Sequence, residues 1–521
     1  MSANLYSLVR SRFPSASDSP FLAAPDGTAL SYAELDERSG RLAHLFHTLD
    51  VRPGDRVAIQ AEKSAWALVV YLATFRVGAV HLPLNPAYTE SEVRYFVDDS
   101  EPALFIGDPS RPLPAGVRRL LTLAADGGGT LVEAAQDAPA AFDDVAREPD
   151  DVAAILYTSG TTGRSKGAML SHANLASNAE TLRRAWRFTA ADRLLHALPL
   201  FHTHGLFVAT NVALLAGAEL LFLPGFDPGE VVRLLPRASA MMGVPTHYTR
   251  LLARPDFTRD LVAHMRLFVS GSAPLSAETH REFEARTGHL ILERYGMTET
   301  GMNTSNPYEG PRVPGSVGPP LPGVEIRIAE PATGAALPTG EVGMIEIRGP
   351  NVLRGYWRMP DKSAEAFRED GFFISGDLGF IDEAGYIHIV GREKDLVITG
   401  GLNVYPAEVE AAIEAISGVA ECAVIGVPQA DFGEGVVAVV VARGGAEVDE
   451  PRIRSALVAS LAAYKRPKRV LFVDSLPRNA MGKVQKSVLR EQYGSALSVN
   501  AHRQENSSRI ISSDSSRSRP E

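Results

Sequence analysis

Cysteine is almost missing from this sequence: Cys422 is the only one in 521 residues. No intrachain disulfide can form, and nothing calls for an oxidising compartment. Cys422 sits in the apolar stretch Val419–Val427, which predicts a strand and a thiol buried as a small hydrophobe. If the chain makes a thioester, the sulfur therefore belongs to a cofactor. Long hydrophobic runs are missing as well, since none approaches the ~18–20 residues that a membrane-spanning helix needs. Nor is there an excess of positive charge: 52 Lys and Arg face 62 Asp and Glu, for a net charge of −10. With no basic run to follow a phosphodiester backbone, nucleic acid is excluded as the main partner. Small anions stay open, because one Lys or Arg in a cleft outweighs an acidic surface locally. The first residues, Met1–Phe13, lack a secretory apolar core. They carry Arg10 and Arg12 with no acid before Asp18, a faint import character, but read as the first helix of a cytoplasmic protein.

What is present is alternation. A chain of this length exceeds one compact core, so at least two domains are expected. Arg56–Gln60 reads as a strand, Ala65–Arg76 as a helix and Gly78–Pro83 as the next strand, the pattern of an α/β fold. From Pro311 to Pro350 the texture changes to short strands punctuated by Gly and Pro, a small β subdomain. The charged segment Gly391–Asp395 then reads as a hinge. Beyond it Pro406 suits a first helical turn, and Val409, Ile413 and Ile416 recur at helical spacing. Strands at Ala420–Gly426 and Val436–Ala442 and a helix at Arg452–Ala463 complete a small α+β domain. The expected organisation is a large α/β domain over 1–391, a small mobile domain over 392–493, and a disordered Ser/Arg-rich tail over 494–521.

The strongest motif follows the apolar run Val152–Leu156: Tyr157, Thr158, Ser159, Gly160, Thr161, Thr162, Gly163, Arg164, Ser165, Lys166, Gly167. A loop rich in Gly and hydroxyls between two strands offers backbone N–H groups, side-chain O–H groups and one Lys to phosphate oxygens. It is not a Walker loop. Counted from Gly160, that pattern needs Gly at 165 and Ser or Thr after Lys166, where this chain has Ser165 and Gly167. A flexible surface linker would require neither a fixed Lys nor flanking strands. The trio His196, His202 and His204 is the other eye-catching group, but it lacks the Cys or helical His spacing of a zinc site.

The loop resembles the signature of the adenylate-forming superfamily, which includes acyl-CoA synthetases, luciferases and nonribosomal adenylation domains. The resemblance continues in order through Tyr295–Glu299, Ser375–Asp377, Gly391–Asp395 and Pro477–Lys483, covering roughly residues 3–493. It implies an ATP-dependent acid–CoA ligase that uses ATP, Mg2+ and coenzyme A and works through an acyl-adenylate. On that likeness Thr158 to Gly163 and Lys166 hold phosphates, and Gly271, Ser272 and Ala273 line the adenine. Tyr295, Gly296 and Thr298 complete the nucleotide site, Glu299 takes magnesium, and Asp377 and Arg392 take the ribose side. Lys483 is the catalytic cation at the α-phosphate, with nearby Lys486 as the alternative. Lys394 is the hinge, Gly400 and Gly401 open the route for the pantetheine arm, and His202 stands at the mouth of the acyl pocket.

Which acid is a finer question. Ser165–His172, Phe201–Phe207, Thr279–Glu282 and Met302–Asn306 look like stretches of malonyl-CoA synthetases. Malonate carries a second carboxylate that a pocket cannot hold without a cation or several donors. Arg281, one turn into a helix after Ser276, is the candidate reader, with Arg164 and His202 as secondary ones. Gly301 departs from the likeness, where a larger polar residue is expected, and would loosen the pocket end. The alternatives are a ligase for methylmalonate or another short acid, a carrier-loading adenylation module, and a non-catalytic nucleotide binder. No stretch after Tyr493 is long enough for a carrier domain, and the intact Lys483, Glu299 and Asp377 speak against the last.

Overall fold

A computed structural model of the chain describes residues 2–16, 18–158, 165–429, 432–479 and 482–497. It groups into two compact units. The first comprises Met1–Ala336, Glu346–Ser375 and Ile381–Ile387; the second comprises Leu337–Ile345, Gly376–Phe380 and everything from His388. The division expected at 391/392 thus falls a few residues earlier, and two short pieces from before the hinge join the second unit. Asp377 is in one of them. Of the tail, Gly494–Leu497 lies within the described residues, where Ala496 and Leu497 pack on a core that includes Ile425 and Val437. The rest of the stretch expected to be disordered lies outside them.

Two sheets build the first unit. One runs in the order Gly355–Tyr356, Lys166–Ser171, Val152–Thr158, Val80–Pro83, Arg56–Gln60, Leu104–Gly107, Leu120–Thr122. The strand 56–60, the helix Ala65–Arg76 and the strand ending at Pro83 form where expected, with Ser64 capping the helix through Ala67 N–H. That helix is buried nearly all round, so its sequence is apolar without a polar stripe. The helix Tyr32–Thr48 begins on a capping box between Ser31 and Glu34, and its apolar side chains lie on one face.

The second sheet sets the site. Its order is Gly301–Ser305, Leu292–Met297, Leu267–Ser270, Ala240–Gly243, Arg193–His196, Glu219–Phe222, Pro20–Ala23, Ala29–Ser31. The central strands are parallel and short, and they read as unbroken apolar runs because both faces are covered. Register aligns Met242 with His196, Gly243 with Ser270, and Ser270 with Glu293. The carboxyl ends of these strands therefore open along one edge, the usual ligand edge of such sheets.

In the second unit the helix Pro406–Glu414 starts on its proline, as expected. The strands Val419–Gln429 and Gly433–Ala442 pair antiparallel with Cys422 opposite Val440. Alternate residues face two cores: Val424, Ala438 and Val440 pack with Val409, Ile413 and Ile453, and Ala423, Ile425 and Val439 pack with Leu476 and Leu489. Cys422 is buried, and burial raises its thiol pKa, so it is inert packing. The helix expected at 452–463 is only Glu450–Ala456, capped by Asp449, followed by turns and a 3-10 turn at Ala463–Lys465. Burying Ile453, Leu457 and Leu461 satisfies the same spacing in either conformation.

Beside the sheet edge, His204–Thr210 winds as a π-helix, a form that concentrates at functional sites. Gly205 lets it pass: a Cβ there would lie 2.0 Å from the Pro199 carbonyl oxygen. His196 Nε2 donates to the Gly205 carbonyl at 2.9 Å, and its Nδ1 accepts from Lys63 Nζ at 2.9 Å. Gly205→Ala should destabilise the protein by about 1–3 kcal/mol through backbone displacement. Urea unfolding would read this loss, and an unchanged midpoint would show that the segment shifts freely.

Candidate active site

Val152–Thr158 and Lys166–Ser171 are antiparallel strands with Thr158 opposite Lys166. The two strands form where expected; Ser159, Gly160, Thr161, Thr162, Gly163 and Arg164, expected as a phosphate loop, lie outside the described residues. At the loop's exit the Lys166 ammonium sits 4.3 Å from the Tyr356 ring centroid. The Tyr356 hydroxyl donates to Glu299 Oε1 at 3.3 Å. One aromatic ring thus ties the loop lysine to the carboxylate expected at the metal, and both partners belong to the first unit.

Glu299 gets its place from a hairpin. Leu292–Met297 pairs with Gly301–Ser305, leaving Thr298, Glu299 and Thr300 as the turn. Gly296 permits the close pairing, since a Cβ there would lie 2.1 Å from the Gly301 carbonyl oxygen. The Leu353 N–H donates to the Glu299 carbonyl at 2.7 Å and pins the turn from outside. A buried carboxylate such as this is the hard oxygen donor that Mg2+ takes. Among the described residues no three His, Cys, Asp or Glu gather as a metal site of their own.

At the sheet edge, Ser270 is buried and Ser272 adopts φ +71°, a left-handed conformation that costs a serine energy and often marks a ligand clamp. Ser272 Oγ lies 3.2 Å from His204 Nδ1. His202 Nδ1 accepts from the His204 backbone N–H at 3.3 Å. Burial, with help from Arg294, lowers the His202 pKa to about 4, and the same causes lower that of His204 well below the usual histidine range. Both rings are therefore neutral at pH 7 and serve as hydrogen-bonding groups, not as cations.

The structure corrects two expectations. Arg281, expected to read a carboxylate in the acyl pocket, lies on the helix Ala277–Thr287, whose buried side is His280 and Phe283; its own side chain is exposed. Gly301 opens little room. It sits at φ +57° where a Cβ would meet Asn178 Oδ1 at 2.7 Å, so Asn178 fills most of the space. A cavity of about 10 Å3 is left between Gly301, Asn178, Thr203, Phe207 and Asn351, room for roughly one water.

In the second unit, Asp377 is buried and pairs with Arg392 at 2.7 Å. Lys486 is held by Glu410 at 2.6 Å, with both side chains about one-fifth exposed. Whereas Lys486 is paired, among the described residues no ion pair holds Lys483. Its side chain reaches solvent, yet partial loss of hydration lowers its pKa, with Arg392 adding and Asp377 and Asp395 opposing. Lys394 sits in the 3-10 turn Glu393–Asp395, and lost hydration with Arg392 brings its pKa to about 8. Gly400 and Gly401, at φ +59° and +79°, form the two-residue turn between Val397–Thr399 and Leu402–Val404. Positive φ at both positions is what such hairpins demand.

A family model described as AMP-binding enzyme matches residues 11–357. The chain belongs to the AMP-binding enzyme family. The model of the family's C-terminal domain matches residues 408–483. Among solved structures, ATP-bound MatB from Rhodopseudomonas palustris is 57% identical, with a TM-score of 0.93 over 95% of this chain and 100% of that one. A feruloyl-CoA synthase of an Amycolatopsis species is 39% identical, covering 90% of this chain and 95% of the relative. A malonate–CoA ligase of Arabidopsis thaliana is 35% identical, covering 94% and 89%. The large α/β unit and the smaller second unit are those of this AMP-binding family.

Sequence reasoning missed Tyr356, Glu293 and Arg294. Tyr356 had a signal in Gly355-Tyr356-Trp357, an aromatic run after a glycine; the other two read as ordinary strand residues. Glu293 is buried, its Oε1 accepting from the Leu275 N–H at 3.3 Å, and burial raises its pKa to about 8. Above the unfolded value of about 4.3 the unfolded chain gives up this proton while the folded one keeps it, so stability falls as pH climbs from about 4.3 to 8. Glu293→Gln should remove that slope. Its stability relative to wild type should be better at pH 9 than at pH 5 by a few kcal/mol, roughly. Equal differences at the two pH values in denaturant titrations would show that Glu293 ionises normally.

Proposed function

We propose that the chain is an ATP-dependent acid–CoA ligase and that its acid is malonate. In the first step a carboxylate oxygen attacks the α-phosphorus of ATP and pyrophosphate leaves, giving an acyl-adenylate. In the second, the coenzyme A thiol attacks the acyl carbon, AMP leaves, and the thiol proton passes to solvent. Both partners of the first step are anions, so catalysis is positioning and cationic stabilisation. The observation that carries the reading is that Glu410 holds Lys486 while, among the described residues, no ion pair holds Lys483. Lys483 is assigned to the α-phosphate, Lys166 to the outer phosphates, Asp377 with Arg392 to the ribose, and Tyr295, Gly296, Thr298 and Gly271–Ala273 to the nucleotide. Glu299 would hold Mg2+, which neutralises phosphate charge when bound. Lys394 is assigned to the hinge between the two half-reactions, and Gly400 and Gly401 to the thiol's approach. A cytoplasmic location goes with this reading.

Malonate is supported by the malonate–CoA ligases among the relatives, in Arabidopsis thaliana and, at 35% identity, in mouse. The feruloyl-CoA synthase relative makes ferulate the competing acid. A pyrophosphate-release panel with malonate, methylmalonate, propionate and ferulate, each with and without CoA, separates them. Preference for ferulate or propionate would sink the malonate reading. Lys483→Ala should slow adenylation by ~10²–10³, the loss of about 3–4 kcal/mol of transition-state stabilisation. The same variant should still convert synthetic acyl-adenylate and CoA to thioester; an equal loss there would remove Lys483 from the first step. Arg281, the candidate reader of the distal carboxylate, is exposed, so its pair is worth about 0.2–1 kcal/mol. Arg281→Ala should cost malonate no more than about fivefold in kcat/KM, and a hundredfold loss would restore it as the main reader.

A further inference from the structure

The carboxyl ends of the strands Arg193–His196, Glu219–Phe222 and Ala240–Gly243 gather a second group of side chains on the edge that also carries Ser270. Its centre is the Lys63 amine, brought there from the first sheet by the turn between the strand Arg56–Gln60 and the helix Ala65–Arg76. Nζ donates to His196 Nδ1 at 2.9 Å and to the carbonyl of the same residue at 2.8 Å, and it lies 4.2 Å from the Phe222 ring centroid. His247 faces it from the helix Pro245–Leu252, stacked on Phe226 at 3.8 Å. Glu62, the acid beside it in sequence, is bound to Arg111 at 2.9 Å. Among the described residues no carboxylate pairs with Lys63, and burial drives its pKa well below the usual lysine range. Burial keeps His196 and His247 neutral as well.

An amine buried away from any acid is unfavourable, and an apolar side chain of similar length would pack in its place with less loss of stability. What the amine does is fix one imidazole. His196 Nε2 meets the Gly205 carbonyl at 2.9 Å, an atom that only accepts, so Nε2 carries the proton and Nδ1 is left with a lone pair. Lys63 satisfies that lone pair and grips the His196 carbonyl too, a hold at two points that sets both the tautomer and the direction of the ring. The Gly205 carbonyl also accepts from Thr210 Oγ1 at 2.9 Å. It belongs to the first turn of the π-helix that begins at His204, whose Nδ1 lies 3.2 Å from Ser272 Oγ. Resting on the acid–CoA ligase reading above, we propose that Lys63 is a positioning residue for adenylation: acting through the His196 tautomer, it holds the π-helix so that His204 stays against the Ser270–Ser272 segment. A methionine in its place would leave Nδ1 buried without a donor, and the ring would exchange tautomers or turn, releasing the Gly205 carbonyl.

The test uses the full-length chain with Lys63→Met, His196→Asn and the two combined. Nitrogen NMR of histidine-labelled protein, with His196 assigned by its loss in His196→Asn, should show one Nε2–H tautomer in wild type. In Lys63→Met the two ring-nitrogen shifts should move toward each other. With the acid that wild type prefers, kcat for pyrophosphate release should fall about 10- to 100-fold in Lys63→Met, the size that displacement from outside the reacting groups reaches. The double variant should be no slower than His196→Asn alone, because both substitutions remove the same hold. Unchanged histidine shifts, or losses that multiply in the double variant, would show that Lys63 does not act through His196, and the proposal fails. It fails as well if Lys63→Met does not fold, because losing an unpaired buried amine should leave the urea midpoint unchanged or higher. If wild type releases no pyrophosphate with any acid of the panel, the ligase reading falls and the role in adenylation with it. The histidine spectra, which need no substrate, tell that failure from a failure of Lys63 to set the tautomer.

Discussion

Positive charge held without a partner is what the rest of this structure is arranged around. Proteins pair their cations, and this chain does so almost everywhere: Arg266 with Asp192, Arg327 with Glu346, Lys486 with Glu410. A reaction between two anions needs the opposite, a cation whose field is not already spent on a protein carboxylate. Among the described residues Lys483 is in no ion pair, and loss of hydration, with Arg392 adding and Asp377 and Asp395 opposing, lowers its pKa. Lys166 is parked on the face of Tyr356, not on an acid, a contact that holds the ammonium while leaving its charge available.

Keeping cations apart from acids requires backbone to do the positioning, and glycine is how the chain manages it. Gly296 lets two strands close to a three-residue turn that lifts Glu299 out of the ladder. Gly271 clears the volume that the Arg294 guanidinium fills, and Gly205 lets the π-helix bring His204 against Ser272. Each of these positions meets another backbone or a stiff side-chain plane, so an added methyl could not be absorbed by a rotamer change. The strained Ser272 belongs to the same economy: its left-handed backbone turns the segment just after the strand Leu267–Ser270.

Much of this was legible in the sequence, for a physical reason. Loops that bind phosphate are built from residue types whose chemistry is local, so Thr158–Lys166, Tyr295–Glu299 and Pro477–Lys483 announce themselves. Strand and helix positions were legible where burial is one-sided or complete, as in Ala65–Arg76. Faces were harder. For Arg281 helical spacing gives period but not phase; with Phe283 the only large apolar residue in Ala277–Thr287, nothing in the sequence fixes which side turns inward. Arg294 failed for the complementary reason. Between Glu293 and Tyr295 it looks like alternation on a solvated strand, and only the register with Ser270 and Gly271 shows that both faces are covered.

The two arginines therefore differ in what they can do to a carboxylate, and the difference is hydration. Arg281 keeps its water, so an anion that meets it exchanges one hydrated partner for another, gains little, and does so to a degree that falls with salt. Arg294 has already lost its water during folding. The unfavourable step is complete before any ligand arrives, so a carboxylate that reaches it regains for the protein what burial removed, and an uncharged substituent in the same place regains nothing.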